Sequence, residues 1–225
     1  MIVKRSWYLS IFLIHYPLQT NYCKLAKMIA IDIEASGTNY EKHSIVSLGA
    51  VDMADQARRF YGECRIWDGA HFMEEALGVN GFSKEQITDG KKQSEEELIE
   101  KFLRWIGSVD DRTLLGQNVS FDRDFLLAAC ARAHIDSSAI FRRTIDTHTL
   151  AIMHMTKQGI SMPLIDHHSA VNLDAILTYV GIPEEPKPHN ALTGALSHAE
   201  VAHRLLYDKK FLPEFEQFEI PWLSK

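Results

Sequence analysis

Cysteine is scarce in this chain. Cys23, Cys64 and Cys130 are an odd number and include no C-x-x-C pair. That argues against a disulfide framework or a structural zinc site and fits a reducing, cytoplasmic interior. Positive charge is also short, with 24 Lys and Arg against 30 Asp and Glu, a formal net charge of −6. Such a balance argues against coating nucleic acid by bulk electrostatics, while a local basic groove beside an acidic site stays open. Long apolar runs are missing. The most apolar part of the amino-terminal stretch, residues 7–18, falls short of the roughly 20 residues a spanning helix needs, so no membrane span is expected. A basic start precedes it, but no small-x-small cleavage site lies before Met28. Internal repeats and long low-complexity stretches are absent as well.

What is present suits a single globular domain with extensions. A chain of 225 residues can bury a sizeable core, and 46% hydrophobic with 24% charged residues is ordinary globular composition. Residues 1–27 read as an extension outside the core, with a packed or partner-docking segment as the alternative. Residues 28–208 hold the periodic elements, and 209–225 form a tail. Three strand-like runs, 28–37, 44–53 and 59–67, are joined by short polar links and predict an antiparallel meander. Ser94 followed by Glu97 is a capping-box pattern opening a helix to about Ile106, with Leu98, Phe102 and Trp105 on the buried stripe. A short strand at 112–116, a helix at 122–134, a strand at 144–146 and helices near 147–155, 173–180 and 191–207 follow. Strands first, then alternating helices and strands, predict a three-layer α/β domain with a mixed sheet. Phe211, Phe215, Phe218 and Trp222 in the tail would pack back on the domain or dock on a polymerase or other partner.

Chemistry enters at three places. Asp32 and Glu34 lie two apart in an otherwise apolar strand and therefore project to one face. Buried carboxylates are costly unless neutralised, and two on one face suggest a divalent cation held by oxygen ligands. Taken alone, the pair also reads as a solvated edge-strand feature. Next, Asn118, Phe121 and Asp122 sit where a strand ends and a helix begins. There the helix end favours a carboxylate by about 0.3–1 kcal/mol, and a simple cap is the plainer reading. Last, His189 follows the proline-rich segment 183–188 and precedes the final long helix. Its imidazole suits taking a proton from water, although a lone histidine is more often a surface or capping residue. The adjacent His167 and His168 read as a solvated loop rather than a metal cluster.

In this order the three segments resemble the DnaQ-like 3′–5′ exonucleases with the histidine-bearing DEDD signature, over roughly residues 28–207. The family's D-x-E matches Asp32 and Glu34, and its N-x-x-F-D-x-x-F matches Asn118, Phe121, Asp122 and Phe125. Its H-x-A-x-x-D-A matches His189, Ala191 and Ala195, but Gly194 stands at the aspartate position. The resemblance implies a ribonuclease-H-like fold with a mixed five-stranded sheet flanked by helices. It also implies hydrolysis of single-stranded 3′ ends to nucleoside 5′-monophosphates by two Mg²⁺ or Mn²⁺ ions. Asp32, Glu34 and Asp122 would be metal ligands and His189 the general base. Ala35, Ser36 and Gly37, with Asn118 and Phe121, would line the terminal nucleotide. Glycine at 194 offers no ligand oxygen, so the alternative is a catalytically silent relative that binds nucleic-acid ends or a partner. An aspartate restored there is expected to sit in the helix with small side effects. Of the other acids near the last helix, Glu200 lies about 600° around from Gly194 and faces elsewhere.

Overall fold

The computed structural model describes residues 27–137 and 141–224. The expected extension at 1–27 therefore lies, but for Lys27, outside the described residues. Strand β1 (Ile29–Ala35) pairs antiparallel with β2 (Ile45–Asp52), and β2 antiparallel with β3 (Arg59–Glu63). Strands β4 (Leu114–Gly116) and β5 (Thr144–Asp146) add in parallel, giving a five-stranded mixed sheet of order β3-β2-β1-β4-β5.

Alternation along β1 divides the molecule into layers. Ile29, Ile31 and Ile33 face helices α3 (Glu95–Ile106) and α4 (Ser120–Arg132) in one core cluster. Ala30 points the other way, toward Ala195, Ala199 and Ala202 of helix α7 (Ala191–Tyr207). The capping box opens α3 as expected: Ser94 Oγ accepts from the Glu97 amide at 3.1 Å, and Glu97 Oε2 from the Ser94 amide at 2.8 Å. Leu98 and Phe102 of that helix are fully buried, each contributing about 1.5–3 kcal/mol of apolar burial. Helices α5 (Thr147–Lys157) and α6 (Leu173–Val180) pack behind α7.

Some boundaries differ from those expected. Strand β3 ends at Glu63 rather than near 67, because the chain leaves the sheet to bond elsewhere. The Arg65 amide donates to Gln93 O and the Ile66 amide to Ile87 O. Short helices α1 (Glu74–Asn80) and α2 (Lys84–Ile87) fill that connection. A two-stranded hairpin, β6 (Leu164–Ile165) with β7 (His168–Ser169), turns through Asp166 and His167 at positive φ. His167 and His168 are exposed there, as a solvated loop would be.

The tail is held by one buried ion pair. Arg204 Nε donates to Glu200 Oε1 at 2.7 Å. Its terminal nitrogens donate to the carbonyls of Val180, Glu219, Phe215 and Phe218. All five guanidinium hydrogens are thus engaged. Glu200 Oε2 accepts from the amides of Phe211 and Leu212. Phe215, Phe218 and Trp222 consequently pack against the α5–α6–α7 cluster.

Candidate active site

Helix α7 enters the sheet at its amino-terminal end. Asn190 caps it, accepting from the Leu192 and Thr193 amides at 3.0 and 3.3 Å. It crosses β2 at Gly49, where an added Cβ would lie 2.2 Å from Ala191 O. Gly49 is the register partner of Asp32. One turn on, Gly194 lies directly on Asp32, and a Cβ at 194 would come within 2.3 Å of Asp32 Oδ2. The glycine at the divergent motif position thus faces the first acid of the D-x-E pair. It also means that an aspartate restored at 194 is not the benign change expected from helix propensity. Its Cβ would force Asp32 to swing away.

The other acids arrive from separate elements. Glu34 is buried on β1, two residues beyond Asp32. Asp122, 3% exposed in the first turn of α4, accepts the Ile33 amide proton on Oδ1 at 2.9 Å. That bond ties the second motif to the strand residue between the two first-motif acids. Burial, then the charges of Asp122, Glu34 and Glu185, hold the Asp32 carboxyl well above the usual range. Burial and Glu185 push Glu34 up to about 7. Burial also raises Asp122, against the two backbone hydrogen bonds that stabilise its anion.

His189 is about one-third exposed, with Nδ1 4.0 Å from Glu185 Oε2. Its amide donates to Val79 O at 3.0 Å. The expected substrate-contacting residues already have internal partners. Ala35 O accepts from Asn80 Nδ2, and Ser36 Oγ donates to His71 O while accepting from the Ser44 amide. Gly37 is covered by the His43 ring, which an added Cβ would meet at 2.4 Å. Asn118 adopts positive φ and its carbonyl accepts from the Phe121 amide, while Phe121 packs on Phe125 at 4.8 Å between ring centres. Asn118 and Phe121 thereby shape the turn that delivers Asp122.

Glu185 was not foreseen. Nothing in helix or strand periodicity marks it, since it sits in the proline-rich approach to α7; its one sequence signal is an acid four residues before His189. His198, one turn beyond Gly194, is also spoken for. Its Nδ1 hydrogen bonds with Ile31 O at 2.9 Å, and burial pushes its imidazole down to about 4, leaving it neutral.

The donor set suits a hard cation. The charges of Asp122 and Glu34 raise Asp32, that of Glu34 raises Asp122, and Glu185 raises Glu34, an all-oxygen, anionic donor set. Among the described residues no three His, Cys, Asp or Glu side chains already stand at ligand spacing. Asp122 is bonded instead to the β1 backbone, at the Ile33 amide.

An exonuclease family model matches residues 29–202. The chain belongs to the exonuclease family. Its motifs place it among the DnaQ-like members with the histidine-bearing signature. Ribonuclease T of Marinobacter nauticus is 26% identical over 136 residues, covering 55% of this chain and 62% of that protein. A PolC-type DNA polymerase III of Latilactobacillus sakei is 27% identical over 175 residues, covering 71% of this chain but 11% of the polymerase. The chain thus spans less than two thirds of either relative. In fold it is similar to E. coli exonuclease I in complex with a dT13 oligonucleotide, with TM-score 0.64 and 19% identity, over 81% of this chain and 41% of that one. The nuclease domain of 3′hExo, a DEDDh family member bound to rAMP, aligns with TM-score 0.63 and 17% identity, over 82% of this chain and 94% of that domain.

Proposed function

We propose that this exonuclease-family chain is a metal-dependent 3′–5′ exonuclease that shortens single-stranded nucleic acid, releasing nucleoside 5′-monophosphates. The observation carrying this reading is the hydrogen bond from the Ile33 amide to Asp122, which joins the α4 acid to the strand bearing Asp32 and Glu34. Asp32, Glu34 and Asp122 would hold Mg²⁺ or Mn²⁺. When bound, the ions supply Lewis-acid polarisation of the scissile phosphate and of the attacking water. His189, at the mouth of the acidic cluster, takes the proton from that water. A new P–O bond then forms as the bond to the 3′ oxygen breaks, and the 3′ oxygen leaves on the shortened strand. Single strands suit such a site because unpaired bases can stack on side chains. Exonuclease I bound to an oligonucleotide and the polymerase relative support nucleic acid as ligand and a polymerase as partner class.

A second reading has its own observation. Gly194 puts no carboxylate against Asp32, which favours a silent module that binds 3′ ends or a partner without cleaving. The two separate in one assay: mononucleotide release from single-stranded DNA and RNA in Mg²⁺ or Mn²⁺, with Asp32→Ala as control. Release by the parent chain and none by the control supports the enzyme. Strand binding without release by either supports the silent module.

A further inference from the structure

The segment 183–188 is anchored beside the acidic strand through helix α1. Asn80, last residue of α1, bonds Ala35 O at the end of β1. Val79 O accepts the His189 amide, and Pro188 packs on Gly81, where a Cβ would lie 2.6 Å from the Pro188 Cβ. One helix end therefore clamps the exit of the D-x-E strand and the approach to α7 together. Glu185 is carried inward by that clamp. Its side chain is 7% exposed, Oε2 stands 4.0 Å from His189 Nδ1, and buried Oε1 has no hydrogen-bond partner. An unpartnered buried carboxylate is expensive and calls for a ligand.

Its neighbours say which ligand. The Glu185 charge is felt by both Asp32 and Glu34. Across the cluster, Gly194 gives no oxygen where the signature has an aspartate, and Asp32 fills the space that an aspartate Cβ would take. A glutamate reaching in from the loop has one more methylene than an aspartate and approaches from the His189 side. We propose that Glu185 supplies the carboxylate missing at position 194, so that the divalent-cation site is formed by Asp32, Glu34, Asp122 and Glu185. This rests on the metal-dependent reading above. It would make the chain a variant of the signature in which one ligand has moved from helix to loop, rather than one that has lost it.

The test is Mn²⁺ binding, followed by titration calorimetry and by the electron paramagnetic resonance signal of the free ion. The full chain is compared with Glu185→Gln and Asp32→Asn. Metal-free thermal unfolding of each serves as the folding control. Glu185→Gln should fold with an equal or higher midpoint, since it removes a buried anion, yet bind Mn²⁺ at least tenfold more weakly. If Glu185→Gln binds like the parent while Asp32→Asn does not, the inference falls and the metal-dependent reading stands. If the parent binds no better than Asp32→Asn, that reading falls and takes the inference with it.

Discussion

Two glycines set the geometry at the scale of single residues. Gly49 lets the α7 backbone touch β2, and Gly194 lets it rest on Asp32. At Gly49 the obstructing atoms are backbone, which cannot rotate away. Gly49→Ala should therefore destabilise the fold by about 1–3 kcal/mol or more, as overpacking does, read as a lower midpoint in urea. An unchanged midpoint would show that α7 does not bear on the strand as described. Asp32, Glu34, Asp122 and His189 stood out as candidates in the sequence because their spacing on a strand, at a helix start and before a helix carries a chemical pattern. Gly49 and Glu185 were illegible for the same kind of reason. Close backbone approach and burial in a loop depend on tertiary contacts that no local period records.

Helices and strands were legible where periodicity or a cap marked them. Helix α3 opens at the Ser94–Glu97 capping box, α6 and α7 lie where helical spacing alone placed them, and β1 alternates between two layers. Helices α1 and α2 escaped because seven and four residues are too few to display a 3.6-residue period. The tail is also an affair of elements. Arg204 ties it to α6 and α7 through four carbonyls and Glu200, so those aromatics are a wall of the domain. Arg204→Met would leave Glu200 buried without its counter-charge, at a cost of about 3–5 kcal/mol. Chemical denaturation should show that loss, with Trp222 fluorescence changing in the same transition. A stable variant with an unaltered Trp222 signal would mean the pair does not organise the tail.

For the molecule as a whole, the acidic cluster predicts a stability that depends on pH and on divalent cation together. Glu34 and Glu185 are each raised from 4.5 to about 7 in the folded chain, mainly by burial. Between those values the folded state holds protons that the unfolded state has released. Stability therefore falls as pH rises through that window. Without metal, the thermal midpoint should drop by several degrees from about pH 5 to about pH 8, on the order of the shift a few kcal/mol produces. Divalent cation should reverse the drop at the higher pH, because binding to the folded state alone stabilises it. A metal-free midpoint that rises steadily across the window would contradict the picture of an uncompensated carboxylate cluster.

The central claim, that this cluster cuts nucleic acid from its 3′ end, is tested most directly with a 5′-labelled single strand and the full chain in Mg²⁺ or Mn²⁺. The account predicts a ladder shortening progressively from the 3′ end, abolished by chelator and absent with Asp32→Ala. A folded chain that binds the strand and leaves it at full length in either metal would contradict it.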